Sequence, residues 1–110
     1  VNKMTAYQIP FDTSFPDQQL TVDLGDETFI FRMKWNTVAE QWYLSMYDQE
    51  NSPIFEGIAF VLGLNYFELV TEQRFPTGLL YAFNYNNDTE CGRDDLNVNV
   101  FLVYNDLVDA

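Results

Sequence analysis

A chain of 110 residues suits one compact domain, 1–110, and leaves too little material for a second of ordinary size. Apolar residues make up 47% of it and aromatics 17%, enough hydrophobic surface to offset the entropy lost on folding, which argues against disorder. Seventeen acidic residues against five basic ones give a formal charge of −12, which repels phosphate backbones and anionic headgroups and disfavours both nucleic-acid and membrane-surface binding.

The first expected element is an N-terminal strand near residues 5–11. Period-two alternation follows: Leu20, Val22 and Leu24 fall on one side, with Gln19, Thr21 and Asp23 on the other, the pattern of a half-buried strand. Turn chemistry at Gly25-Asp26 leads into Phe29, Phe31, Met33 and Trp35, which alternate with Thr28, Ile30, Arg32 and Lys34, so the two segments should form a hairpin. Residues 36–41 interrupt the pattern. It resumes with Trp42, Leu44 and Met46 facing away from Tyr43, Ser45 and Tyr47, and a second hairpin is expected.

Residues 48–53 read as a polar turn. Residues 54–62 are mostly apolar, with Glu56 and Gly57 marking a bulge or bend, and they are expected as a buried, central strand. Residues 63–76 are ambiguous, since Leu64, Phe67 and Leu69 suit a helical turn while the segment also fits a short strand and a loop. Two closing strands are expected at 79–85 and 98–104, separated by a long polar loop over 86–95. About seven strands with modest turns indicate an all-β fold, a single small antiparallel β-sandwich or β-barrel.

The chemistry is sparse. With no histidine, Ser-His-Asp and Cys-His systems and imidazole metal sites are missing; with Cys91 as the one cysteine, an intramolecular disulfide and a CxxC pair are excluded. Asp23, Asp26, Glu27, Asp48, Glu50 and Glu56 offer carboxylates for glycoside hydrolysis, but in so acidic a chain such neighbours arise by chance. In the 86–95 loop, Asn86, Asp88 and Glu90 alternate like calcium ligands. Its glycine, however, comes at the seventh position, the distal glutamate is missing, and Arg93 would oppose a cation. No catalytic residue, metal site or cofactor is therefore expected.

The candidates for partner contact are Tyr43 and Tyr47, which share the face opposite Trp42, together with Tyr66 and Phe67 in the 63–76 stretch and Asp88, Glu90 and Arg93 in the 86–95 loop. Trp35 and Trp42 fall on core phases and are expected to pack across their hairpin. A small carbohydrate-binding module using exposed aromatics on host-surface glycans is the alternative reading.

The run Phe31-Arg32-Met33-Lys34-Trp35-Asn36, followed by Trp42-Tyr43-Leu44-Ser45-Met46-Tyr47-Asp48, resembles the small baseplate plug proteins of contractile-tailed phages, including cyanophages. Pro53-Ile54 with Gly57, Gly63-Leu64, Phe75-Pro76-Thr77-Gly78-Leu79-Leu80 and Gly92-Arg93-Asp94-Asp95-Leu96 continue the likeness in order, from about residue 8 to residue 104. The chain departs from the pattern at 48–53, where an Asp-Gly type of turn is replaced by Asp48-Gln49-Glu50-Asn51-Ser52-Pro53. The resemblance implies a structural virion protein of the tail baseplate, made in the host bacterial cytoplasm. It would close the end of the tail tube against hub, tube and spike proteins and further copies of itself, with no direct nucleic-acid or membrane binding.

Overall fold

The computed structural model describes residues 6–24, 27–69, 78–84 and 91–105. They form seven strands: β1 (Ala6–Gln8), β2 (Asp17–Leu24), β3 (Glu27–Asn36), β4 (Gln41–Asp48), β5 (Pro53–Ala59), β6 (Leu79–Asn84) and β7 (Val100–Asn105). Two antiparallel sheets result, one in the order β2-β3-β4-β5 and one in the order β1-β7-β6. Just beyond β5, Leu62 makes a parallel bridge to Ala82 of β6 and joins the sheets along one side. The all-β expectation holds, in its two-sheet form.

Alternation decides which side of each strand is buried. Phe29, Phe31 and Met33 of β3 and Trp42, Leu44 and Met46 of β4 are all buried, while the residues between them are partly or fully exposed. Across the hairpin, Phe31 lies opposite Met46, Met33 opposite Leu44, and Trp35 opposite Trp42. A one-residue slip would turn this whole set to solvent, so the register is strongly determined. Leu80, Ala82, Val100, Leu102 and Tyr104 complete the same cluster from the other sheet.

The turns explain how the hairpins close. At 37–40 the Asn36 Oδ1 accepts from the Ala39 amide at 2.9 Å, and Glu40 takes a left-handed conformation with φ 52°. At 48–53 Asp48 Oδ1 accepts from the amides of Glu50 (3.0 Å) and Ser52 (2.9 Å), and Asn51 takes φ 66°. Asparagine tolerates that region better than other residues with a side chain, so it fills the place a glycine takes in an Asp-Gly turn.

Two expectations are corrected, and one open segment is filled in. β5 stands at the end of its sheet, not at the centre; its pairing with β4 shifts register twice, and it begins at Pro53, both features of an edge strand. The expected bulge is there, with Gly57 at φ 64° and its amide donating to Ser45 Oγ at 2.9 Å. Val98 is not in the last strand but in the preceding turn, 57% exposed. Within 63–76, the segment left open, Tyr66–Glu68 forms one 3-10 turn, and residues 70–77 lie outside the described residues.

Tyr66 is the residue that gives this turn its place. Its ring is fully buried and stacks at 6.0 Å on Phe55; its hydroxyl donates to the Ala59 carbonyl at 2.7 Å and accepts from the Val61 amide at 3.0 Å. Asn65 Oδ1 accepts from the amides of Phe67 (3.3 Å) and Leu80 (3.0 Å), tying the turn to β6. Tyr66→Phe would keep the ring but orphan two backbone groups, at a cost of about 1–3 kcal/mol in urea unfolding. Gly57→Ala meets no neighbouring atom, yet left-handed backbone should still cost it about 1–2 kcal/mol; an unchanged midpoint would mean that β5 relaxes freely there.

Candidate functional site

Two regions gather the polar and aromatic residues singled out in the sequence. The first is the outer face of the four-stranded sheet. Register places Asp17, Lys34 and Tyr43 in one row and Thr21, Ile30 and Tyr47 in another, with Arg32 and Ser45 between. Arg32 grips Asp17 through two parallel bonds, Nε to Oδ1 at 2.9 Å and Nη2 to Oδ2 at 2.7 Å. Tyr47 donates to Glu56 Oε2 at 2.9 Å. Partial burial and that bond to a carboxylate both raise the Tyr47 phenol above its usual pKa, so it stays a neutral donor.

Tyr43 and Tyr47 thus share one partly exposed face, and this face also holds two of the chain's five basic residues. On this acidic protein the face thus sets Arg32 and Lys34 beside Asp17 and Glu56. Phe67 is half-buried against the core, its ring edge-on to Tyr104 at 6.2 Å. Tyr66, expected as a surface contact, is instead a core residue for the reasons given above; aromatic composition alone did not separate it from its neighbour Phe67.

The second region is the loop ahead of β7. Residues 86–90, with Asp88 and Glu90, lie outside the described residues. The part that follows is a clasp. The Trp42 indole nitrogen donates to the Gly92 carbonyl at 3.0 Å, and the Arg93 guanidinium lies 5.2 Å from the Trp42 ring centre, a cation–π contact. Arg93 Nη1 also donates to the Thr13 carbonyl, and the Thr13 hydroxyl donates back to the Arg93 carbonyl at 2.9 Å. Asp95 closes the loop: Oδ2 accepts from the Gly92 amide at 2.8 Å, Oδ1 from Asn99 Nδ2 at 2.9 Å. A Cβ on residue 92 would stand 2.9 Å from that Oδ2, so a larger residue there would have to displace the Asp95 carboxylate.

Arg93 is therefore a structural cation, not a free one. Three of the six carboxylates considered for hydrolysis are similarly engaged, Asp23 with the Thr28 hydroxyl at 2.6 Å, Asp48 in its turn and Glu56 with Tyr47, while Asp26 lies outside the described residues. Trp35 is partly buried and packs edge-on to Trp42 at 5.4 Å, and Trp42 is fully buried and offers no stacking platform to a sugar. Among the described residues, no three metal-ligating side chains converge.

These contacts have measurable consequences. Arg93→Ala removes a cation–π contact and a charge-assisted bond, and should lower stability by about 1–3 kcal/mol in denaturant unfolding; a residue serving only a partner would leave the isolated chain unchanged. The bond from Arg32 holds the Asp17 carboxyl below its ordinary 3.8, so this stabilisation is complete above that value and is lost as pH falls through the lower one. Both groups are largely exposed, so Asp17→Asn should cost at most about 1 kcal/mol at pH 7 and progressively less as pH falls below 3.8, read as a difference in melting temperature.

Comparison with known proteins supplies the remaining evidence. No curated protein matches the chain. The family model described as "Cyanophage baseplate Pam3 plug gp18" matches residues 6–107, from the first residue of β1 to beyond the end of β7. The hairpin of Trp35 and Trp42 and the clasp at 92–95 both fall inside that match, so the elements that define this fold are within the family's span. This chain belongs to the family of the cyanophage baseplate plug.

Proposed function

We propose that the chain is a structural component of a phage tail baseplate that closes the end of the tail tube, held there by contacts with hub, tube and spike proteins and with further copies of itself. The observation that carries this reading is a family match spanning nearly the whole folded chain. The mechanism is mechanical: packing keeps the domain rigid, while contacts to neighbours hold the channel shut until the baseplate rearranges on the host.

The polar chemistry agrees with such a role. Trp42, Arg93, Asp95 and the Tyr66 hydroxyl hold parts of the fold together, which is what a load-resisting plug requires. A charge of −12 repels the phosphate backbone, so DNA passing an opened channel would not adhere. Tyr43 and Tyr47 are the proposed contacts on the outer sheet face; Phe67 and the 86–95 loop, with Asp88 and Glu90, are the proposed contacts at the loop end. Catalysis has no part in the proposal.

Mass spectrometry of purified particles should find the chain, and cryo-electron microscopy should place it on the tail axis at the tip; absence from particles would overturn the reading. Replacing Tyr43 and Tyr47 together by alanine should leave the fold intact and reduce incorporation into particles about tenfold or more, as loss of aromatic anchors does. Normal incorporation would remove this face from the contact surface.

A further inference from the structure

The edges of the two sheets are unequal. β1 is only three residues long, β5 is broken by Gly57 and two register shifts, and the outer side of β6 is met by the Leu62 bridge. These are the usual devices against unwanted strand addition. β2 has none of them. Its eight residues pair one for one with β3 without a shift, no proline or lysine interrupts it, and among the described residues no strand lies on its other side.

The direction of its free groups follows from one hydrogen bond. The Trp35 amide donates to the Pro16 carbonyl at 2.7 Å, so in an antiparallel ladder Gln18, Leu20, Val22 and Leu24 turn their backbone groups to β3. The N–H and C=O groups of Asp17, Gln19, Thr21 and Asp23 then point away from the sheet. The strand is also held straight at its start: Gln18 Nε2 donates to the carbonyls of Asp12 (2.6 Å) and Phe15 (3.0 Å), and its Oε1 accepts from the Asp12 amide at 2.7 Å. A regular, pre-ordered row of unpaired groups is a template for another strand.

The side chains specify what kind. On the solvent face the edge displays Asp17 and Asp23, and on the core face Leu20 and Val22 are only partly buried. Phe15, two residues ahead, is 56% exposed. An added strand would place one set of side chains beside the aspartates and the alternate set over Leu20 and Val22. A second copy fits poorly, since it brings another charge of −12 and a strand with the same aspartates.

We propose that the free edge of β2 is a strand-docking site for an extended segment of another protein in which basic and apolar side chains alternate. The proposal does not rest on the baseplate reading, because the edge, its polarity and its test belong to the isolated chain.

The test titrates the full chain with a short capped peptide in which valine alternates with lysine and threonine, following amide hydrogen exchange by NMR. In the free chain the amides of Gln19, Thr21 and Asp23 should exchange fast and those of Leu20 and Val22 slowly; the peptide should slow the first set. N-methylating the peptide amides that face β2 should abolish binding, while N-methylating the alternate amides should leave it. Thr21→Pro removes a free donor but no bond to β3, so the chain should fold and its affinity should fall about tenfold or more.

Absence of binding would overturn the proposal. So would an equal response to both N-methylated peptides, which would mean plain attraction of a cation to an acidic chain. Slow exchange of Gln19, Thr21 and Asp23 in a free chain of dimeric mass would show the edge taken by a second copy, and would overturn it too. If Thr21→Pro does not fold, the pair of N-methylated peptides decides the question alone.

Discussion

The structure depends on Trp42 and what converges on it. Its ring is buried at the end of the β3–β4 hairpin against Trp35, its indole N–H holds the loop before β7, and its carbonyl accepts from the Phe60 amide at 2.8 Å beyond β5. Arg93 lies over the same ring and reaches Thr13 in the link between β1 and β2. One residue, through its ring and its carbonyl, and its cation therefore join three connections distant in sequence. Sheets packed by apolar surface alone can slide and re-pack; a directional donor in a buried place fixes one arrangement, because losing it leaves an unpaired polar group.

A chain so acidic must also manage its own repulsion. It does so locally, by giving carboxylates fixed donors: Arg32 for Asp17, the Ser14 amide for Asp12, the turn amides of 50 and 52 for Asp48, and the Gly92 amide for Asp95. The bonds from Arg32 and from Ser14 hold the Asp17 and Asp12 carboxyls below their usual pKa. The loops gain their shape from charge that would otherwise only oppose folding. On the outer face of the four-stranded sheet, two tyrosines stand beside Arg32 and Lys34.

For a structural protein this division is informative. Much of the loop at 91–99 is held by internal bonds, through Asp95 and the Trp42 indole, although the buried Asn97 Oδ1 has no partner among the described residues. Among the described residues the fold leaves open, with other exposed groups, a sheet face with partly exposed aromatics and one regular edge. Both are means of joining other proteins, one through side chains and one through backbone, and neither requires the domain to change shape.

Much of this was legible before any coordinates. Strict alternation in 29–35 and 42–47 determined both the hairpin and its buried face, because a period of two has one reading and a slip would expose every large side chain. The missing histidine and lone cysteine likewise limited the chemistry by composition alone. Other features needed the tertiary structure. The place of β5 at an edge depends on which strands are its neighbours, and apolar content could not distinguish that from a central position. Tyr66 and Phe67 are adjacent aromatics with the same propensity, yet only Tyr66 meets the Ala59 carbonyl and the Val61 amide; Arg93 read as a surface charge until the fold brought it over Trp42, 51 positions away along the chain. The sequence by itself determined periodicity, and so the strands and their inner faces. Only the tertiary structure decided which polar groups meet, since hydrogen bonds and cation–π contacts act over a few ångströms between residues that no local pattern links.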